Sequence, residues 1–399
     1  MSIELKNFNN KISIALLLLI LNNYLFLSVG IFNIILKINL LFFFFFIAYF
    51  YTKHFKNNLI LKIYFILILL ISLGTPAEGW DLRSLYLFHA KRIFFDESIY
   101  SVADNYAAFS HNDYPLLFHS FSASFAFLSG YWHEIFPKTA YSFVYLPPLI
   151  FLSTNIPNKK NIVFLSLVIF FIGSHLYDGG IDGAVALYFI TSAYCFFKIF
   201  FSKNNETDTP YLNFTAFLMC LTLSLIKNEG FVLLILIFLI TIFIKLTEKD
   251  LGEHFKRLFT LSLSLVPFII WKVFCYKNGI VNTDFTFALL NENLIDRLSL
   301  LNNYKLFFEY LIISNEKSII ALLIFSVSFY LNFYKRLFYF TSLLYLSYLT
   351  LLLIVYFSTP YEFTYHLETS AHRVLESLTL LLGFFALYNF NIRGLKETS

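Results

Sequence analysis

The chain has few charged residues. Only 14% of its 399 residues are Asp, Glu, Lys or Arg, whereas 58% are hydrophobic and the mean hydropathy is +0.70. A soluble domain of this size needs a larger polar surface, because exposed apolar surface leads to aggregation. The composition therefore excludes an ordinary soluble domain and predicts a polytopic membrane protein.

Several sequence signals of other protein classes are also missing. The three cysteines, Cys195, Cys220 and Cys275, lie in apolar sequence without metal-ligand spacing and indicate nothing about the redox compartment. No HExxH or similar ligand pattern occurs. No basic stripe with interleaved aromatics lies outside the apolar runs, which excludes a nucleic-acid partner. No small-residue cleavage site follows the first apolar run, so we expect it to stay in place as a span.

Long apolar runs are abundant instead. A run of roughly 17 to 25 apolar residues is long enough to cross a bilayer as a helix. Such runs lie at 12–30, 33–51, 59–75, 116–135, 139–155, 161–176, 183–201, 211–226, 230–246, 256–275, 318–334, 337–357 and 375–390. The sequence therefore predicts an all-α polytopic fold with about 12 to 13 transmembrane helices, in a single integral membrane domain over residues 1–399.

Lysine and arginine in short loops predict the orientation, because they favour the cytoplasmic side. The residues that can share one side are Lys6, Lys11, Lys53, Lys56, Lys198, Lys203, Lys245, Lys249, Lys256, Arg257, Lys335, Arg336, Arg393 and Lys396. Crossings at both 116–135 and 139–155 would place Lys159 and Lys160 outside. One of these two segments is therefore expected to be re-entrant or interfacial, and the sequence leaves open which one.

The same alternation places three long polar stretches together on the outer face. They are residues 76–115, 276–316 and 357–373, and they are rich in aromatic residues, His and acids. Long loops without spans are usually functional or disordered. Since this composition is not that of a flexible linker, we expect these loops to fold onto the membrane surface with amphipathic interfacial helices.

The first outer loop contains a charged helix-like segment at 79–98. At about 100° per residue, Asp81, Leu85, His89, Arg92 and Asp96 share one arc of a helix. Two interpretations stay open. Asp81 is either a helix cap followed by a solvated face, or the start of a polar face that lines a cavity.

Smaller polar clusters recur at the other outer ends of the predicted spans. His111, Asp113 and His119 surround the Tyr114-Pro115 dipeptide. Asp178 and Asp182 lie among glycines, and Lys227 and Glu229 separate two apolar runs. Each cluster alone is a weak signal, but ionisable groups near a membrane usually face a cavity or a partner.

The last outer stretch predicts a helix after Pro360 with four polar residues on one face. Glu362, His366, Ser370 and Arg373 are spaced at i, i+4, i+8 and i+11. An anionic ligand is the expected partner of Arg373 and of Lys227. The alternative is an ion pair between Glu362 and Arg373 that only ties loops together.

Taken together, these motifs resemble the bacterial GT-C superfamily of integral membrane glycosyltransferases, which includes relatives of protein O-mannosyltransferases and lipid A aminoarabinose transferases. The resemblance rests on "GWDLRSLYLFHAKRIF", "HNDYPLL", "KNEG" and "STPYEFTYHLETSAHRVL", between about residues 79 and 375. It implies transfer of a sugar, with inversion, from a polyprenyl-phosphate donor to a hydroxyl of a glycan, lipid or protein acceptor. It also implies a multi-pass protein of the inner (plasma) membrane with its site facing the periplasm, and an apolar groove between helices for the prenyl tail.

The resemblance also implies roles for individual residues. Asp81 falls at the position of the catalytic acid, where a carboxylate can act as general base toward the acceptor hydroxyl, and Asp113 is expected to assist it. Arg373 is the first candidate to hold the donor phosphate, followed by Lys227, Arg92 and His366. The expected substrate-binding residues are Trp80, His89, His111, Tyr114, Asp182, Glu229 and Ser370. A divalent metal is compatible with this superfamily but not required, so no cofactor or metal ligand is assigned.

Two other functional classes remain as alternatives. A lipid-linked-glycan flippase or transporter would place essential charges at the membrane midplane and often shows internal repeats, whereas here charges gather at one face and no repeat is found. An O-antigen polymerase or ligase also has a large outer loop, but it leads with paired arginines and not with an aspartate.

Overall fold

The computed structural model describes residues 3–31, 34–53, 59–156, 158–202, 209–282, 287–313 and 315–396. Within these ranges the chain forms α-helices with short 3₁₀ and π-helical turns, and no β-strand. The fold class predicted from the apolar runs, an all-α polytopic membrane protein, is confirmed.

The described residues contain twenty α-helices. The first ten are α1 Ile3–Ser28, α2 Ile34–Thr52, α3 Leu59–Gly74, α4 Leu87–Asp96, α5 Leu117–Ser129, α6 Ile135–Phe143, α7 Leu146–Thr154, α8 Asn158–Ile172, α9 His175–Asp178 and α10 Asp182–Phe201. The others are α11 Thr209–Ile226, α12 Asn228–Thr247, α13 Leu251–Ser262, α14 Val266–Lys277, α15 Phe287–Leu298, α16 Leu301–Phe308, α17 Glu316–Leu331, α18 Lys335–Ser358, α19 Phe363–Val374 and α20 Glu376–Lys396.

Eight helical stretches in the described part of the chain are long and apolar enough to cross a membrane. They are Lys6–Ser28, Ile34–Thr52, Ile135–Thr154, Asp182–Phe201, Asn228–Thr247, Leu251–Lys277, Lys335–Ser358 and Phe363–Phe390. A bent pair, Leu301–Ile312 and Glu316–Leu331, adds a ninth if it is one span, and shorter apolar helices lie at Leu59–Gly74, Leu117–Ser129, Lys160–Ile172 and Tyr211–Ile226. The chain is a multi-pass membrane protein. The predicted 12 to 13 spans are reached only if the shorter helices also cross.

The segments 116–135 and 139–155 differ in the length of the helices that they form. Helix α5 has 13 residues, or about 20 Å at 1.5 Å per residue, which is shorter than a hydrocarbon core of about 30 Å. Helices α6 and α7 together form the candidate span Ile135–Thr154. A single crossing here would place Lys160 at the same end as the other lysine-rich loops, which is the arrangement that the lysine pattern predicts.

Helix α10 is the centre of the bundle. It packs against α11, α12 and α20, and 89% of its span is buried inside the protein. The sequence "AVALYFITSAYCFF" explains this position, because a helix that is apolar on all sides is stable when surrounded by other helices. Asp182 is its first residue, so this carboxylate lies where the central helix begins.

The two ends of the bundle carry different polar groups. At one end Arg336, at the start of α18, forms an ion pair of 3.2 Å with Glu248, which follows α12. At the other end of the same two helices lie Lys227, which precedes α12, and Ser358, which ends α18. The polar clusters from the sequence analysis gather at this second end.

The 276–316 stretch also lies at this end and packs against the 357–373 stretch. The guanidinium of Arg297 in α15 donates hydrogen bonds to the carbonyl oxygens of Tyr356, Thr359 and Tyr361, at 3.2, 2.8 and 2.8 Å. These bonds satisfy carbonyls left open where α18 ends. Residues 283–286 and 314 of this predicted loop lie outside the described residues.

Candidate functional site

A polar cavity of about 320 Å³ lies at the second end of the bundle. The residues that line it come from three separate parts of the chain. They include Trp80, Asp81, His175, Asp178, Asp182 and Arg373. The loop after α3 provides the first two, the turn around α9 and the start of α10 provide the next three, and α19 provides the arginine. Residues far apart in sequence thus converge on one concave surface.

Arg373 lies between two carboxylates in this cavity. Its Nη1 atom donates a hydrogen bond to Oδ2 of Asp81, which is 292 residues away in the chain. The same Nη1 atom lies 3.8 Å from Oδ2 of Asp182. The side chains of Arg373 and Asp81 are 30% and 28% exposed, so a ligand in the cavity can reach both.

Asp182 is held by a second cation. Lys227 donates a hydrogen bond from Nζ to Oδ1 of Asp182 at 2.8 Å, and both side chains are largely buried. The backbone of Lys227 is extended directly before α12, which turns its side chain toward the start of α10. Lys227 was expected to contact the donor phosphate, but here its ammonium group contacts Asp182, and Lys227 does not line the cavity.

The prediction that Asp81 caps a helix is wrong. The carboxylate makes no capping hydrogen bond, and the residues after it, Leu82–Tyr86, form a π-helical turn before α4 begins. Gly79, two residues earlier, has φ of +94°, a backbone conformation that favours glycine. Such π-helical turns are rare and frequent at functional sites. Here the Asp81 carboxylate is not used by the turn and accepts a hydrogen bond from Arg373 instead.

His175 is a cavity residue that the sequence analysis missed. Its Nε2 atom lies 3.1 Å from Oε1 of Glu376, and its Nδ1 atom lies 3.7 Å from Oδ2 of Asp178. Burial disfavours the charged ring, but the neighbouring carboxylates of Asp178 and Glu376 outweigh it and raise the pKa of His175 to about 10. The signal in the sequence was the i, i+3 spacing of His175 and Asp178 just before Asp182.

Trp80 forms an exposed aromatic wall of the cavity. Its side chain is 62% exposed, and its ring lies 6.3 Å from that of Phe109, which is also exposed. Aromatic rings combine a large apolar face with low conformational freedom. The position agrees with the expected substrate contact of Trp80, which stays a prediction.

Asp113 belongs to a different cluster, outside the cavity lining. Its Oδ2 atom accepts hydrogen bonds from Nζ of Lys272 at 2.8 Å and from Nδ2 of Asn228 at 2.7 Å. Its backbone carbonyl accepts from Nε1 of Trp271 at 3.0 Å. Asp113 thereby ties the first loop to the start of α12 and to α14. Sequence reasoning did not single out Lys272 or Asn228.

The predicted polar face of the first-loop helix does not line the cavity as a unit. His89 is 1% exposed, and its Nε2 atom lies 2.7 Å from the carbonyl oxygen of Ser110. Burial lowers the pKa of His89 to about 4, so the ring is neutral near pH 7.

The ring of His111 stacks on that of Tyr114 at 4.7 Å, and Tyr114 in turn lies 5.9 Å from Nζ of Lys227.

Arg92 is engaged elsewhere in the first loop. Its two terminal nitrogens donate to both carboxylate oxygens of Asp104, at 3.0 and 2.8 Å, and one also donates to the carbonyl of Ser101. A fork-shaped pair of this kind uses the whole end of the guanidinium. Arg92 does not line the cavity.

The remaining predicted site residues do not line the cavity. Glu229 accepts a hydrogen bond from the hydroxyl of Tyr348, and the hydroxyls of Ser370 and Tyr356 lie 2.8 Å apart. The ring of His366 lies 4.9 Å from that of Tyr356. Helix α19 therefore exists as predicted, but of its four aligned residues Arg373 alone lines the cavity.

The alternative of an ion pair between Glu362 and Arg373 is wrong. Glu362 caps the start of α19 and accepts hydrogen bonds from the backbone N–H groups of Thr364 and Tyr365, at 3.1 and 2.6 Å. Arg373 lies at the other end of this helix and contacts Asp81 and Asp182 instead.

Comparisons with known proteins leave the family open. Neither a protein-family model nor a curated protein nor a solved structure matches the chain. Among the residues that the structure describes, no group of three or more His, Cys, Asp or Glu side chains is arranged to hold a metal ion.

Proposed function

We propose that the chain is a GT-C-like glycosyltransferase of the plasma membrane. It would transfer a sugar from a polyprenyl-phosphate donor to an acceptor hydroxyl, with the polar cavity facing the extracytoplasmic side. The lysine-rich loops at the opposite end of the bundle support this orientation.

The observation that carries the proposal is the meeting of Asp81 and Arg373 in one accessible polar cavity. Sugar transfer from a phosphate carrier needs a base for the acceptor hydroxyl and a fixed cation for the leaving phosphate. The carboxylate and the guanidinium supply these two groups within one cavity. Buried neighbours help to hold the guanidinium in place, because Lys227 fixes Asp182 beside it.

The chemistry follows from these two side chains. The acceptor oxygen attacks C1 of the sugar, and the Asp81 carboxylate takes the hydroxyl proton. The bond between C1 and the phosphate oxygen breaks, and its electron pair leaves on that oxygen. Arg373 stabilises the charge that develops there, and attack from the face opposite the phosphate inverts the configuration at C1.

A second, apolar cavity supports a lipid-linked donor. It has a volume of about 280 Å³ and is lined by residues of α2, α3, α5 and α6, among them Phe44, Leu73 and Phe143. Helix α3 ends at Gly74, and the loop that follows lines the polar cavity. A prenyl chain in the apolar cavity would lie against α3, the helix that leads into the loop of Asp81.

The test measures release of free polyprenyl phosphate from donor lipid in membranes that contain the protein. This readout does not require the acceptor to be known. We expect Asp81→Asn and Arg373→Ala each to lower the release rate by about 100-fold or more at unchanged protein abundance. Asp104→Asn is the matched control, because it removes an acid of the same loop that pairs with Arg92.

Two outcomes would contradict the proposal. Unchanged polyprenyl phosphate release by Asp81→Asn would show that this carboxylate is not the base. Reduced protein abundance with normal release per molecule would indicate that Asp81 and Arg373 form a purely structural ion pair. Movement of lipid-linked sugar across vesicle membranes without transfer would favour a flippase.

A further inference from the structure

The ion pair between Asp81 and Arg373 places the two proposed reacting groups in direct competition. We propose that the donor phosphate and the Asp81 carboxylate exchange at Arg373, so that donor binding releases Asp81 to act on the acceptor. This inference rests on the proposed function and adds an order of events to it.

Asp81 is the carboxylate that can leave. Asp182 is the other acid beside Arg373, but its side chain is 10% exposed and Lys227 holds it at 2.8 Å. The Asp81 side chain is 28% exposed and belongs to the loop that follows Gly79. When Asp81 moves away from the guanidinium, its carboxylate is exposed to water in the cavity. Movement of Asp182 away from Arg373 would instead disturb its buried ion pair with Lys227.

A phosphate is suited to take its place. The planar guanidinium binds two oxygens of a phosphate side by side, and Arg373 is exposed enough to receive it. Asp182 stays 3.8 Å from Nη1 of Arg373 and helps to keep the guanidinium in position. The phosphate therefore takes the place of the Asp81 carboxylate as the anion paired with Arg373.

The exchange makes the base available only when it is needed. While the carboxylate of Asp81 accepts from Arg373, one of its oxygens contacts the guanidinium and cannot contact the acceptor hydroxyl. Once phosphate oxygens occupy the guanidinium, both oxygens of Asp81 can reach the acceptor hydroxyl. Proton transfer to Asp81 then accompanies cleavage of the bond between C1 and the phosphate that Arg373 already holds. Donor binding thus precedes activation of the acceptor.

The test is the affinity of the purified full-length protein for farnesyl phosphate in detergent. We expect Asp81→Asn to bind this probe about tenfold more tightly than the wild type, because the competing carboxylate is gone. Asp178→Asn is the matched control, since it removes an acid from the same cavity that pairs with His175 and not with Arg373. We expect its affinity to change by less than about threefold.

The outcomes separate the two proposals. Equal or weaker binding by Asp81→Asn, with weak binding by Arg373→Ala, would overturn the exchange and leave phosphate binding at Arg373 intact. A similar gain in Asp178→Asn would show a general charge effect and would also overturn the exchange. Absence of binding in the wild type and all variants would overturn the proposed function as well. Asp81→Ser provides a second uncharged variant, and its tight binding supports the exchange if Asp81→Asn does not fold.

Discussion

Lys227 and Asp182 form an ion pair of 2.8 Å between the starts of α12 and α10. Forty-five residues separate them in the chain, and the side chains are 16% and 10% exposed. The pair fixes the carboxylate that faces Arg373. It therefore links the packing of the central helix to the geometry of the cavity.

The first prediction concerns this pair. Lys227→Met leaves Asp182 without its nearest cation, and we expect a loss of about 3 kcal/mol in stability because a buried charge becomes uncompensated. The double variant Lys227→Met with Asp182→Asn removes both charges and should recover part of this loss. Thermal unfolding in detergent measures both. A double variant that is less stable than either single variant would show that the two residues act separately.

The second prediction concerns Gly230 in "KNEG". A Cβ atom at this position would overlap the backbone carbonyl of Leu223 in α11, and a backbone atom cannot move aside as a flexible side chain can. We expect Gly230→Ala to cost about 2 kcal/mol or more by forcing α11 and α12 apart. Gly252→Ala is the control, because a Cβ there meets nothing within 4 Å. Equal stability of the two variants would contradict the close approach.

The third prediction is a pH dependence from His175. Its pKa is about 10 in the folded protein and about 6.5 when unfolded, so the folded state holds the proton more tightly. The resulting stability is fully present below about pH 6.5 and is lost as pH rises through about 10. We expect the unfolding temperature to fall more steeply between pH 7 and pH 10 in the wild type than in His175→Gln.

The control for this profile is His133→Gln. The pKa of His133 is lowered by burial, so that ring is neutral throughout the same pH range. Its variant should keep the steep profile of the wild type. If His175→Gln also keeps the steep profile, the imidazolium between Asp178 and Glu376 does not contribute to the pH dependence of stability.

The fourth prediction separates Asp113 from the reaction. Asp113→Asn weakens the contacts with Lys272 and Asn228, and we expect a loss of about 1 to 3 kcal/mol in stability. Turnover per folded molecule should fall by less than about tenfold, because Asp113 does not line the cavity. Measurement of release rate together with folded fraction tests this. A loss of about 100-fold at normal stability would restore the assisting role that the sequence suggests.

The sequence located the ends of the bundle better than it described the site. Asp81, Asp182 and Arg373 were all singled out from polar clusters between apolar runs, and the cavity contains all three. Arg92, His89 and Asp113 were singled out by the same signal, yet each is bound to a partner elsewhere. Helical periodicity gives the face of one helix, but not the neighbour that this face meets.

What the sequence alone determined was that this is a membrane protein built from apolar helices. Long apolar runs must lie in a bilayer as helices, because each backbone group needs a partner within its own segment. Only the tertiary structure decided which charges meet, because the contacts of Arg373 with Asp81 and of His175 with Glu376 join segments about 200 to 300 residues apart. Their partners depend on how α9, α10 and α19 pack around one cavity, and no local pattern encodes that arrangement.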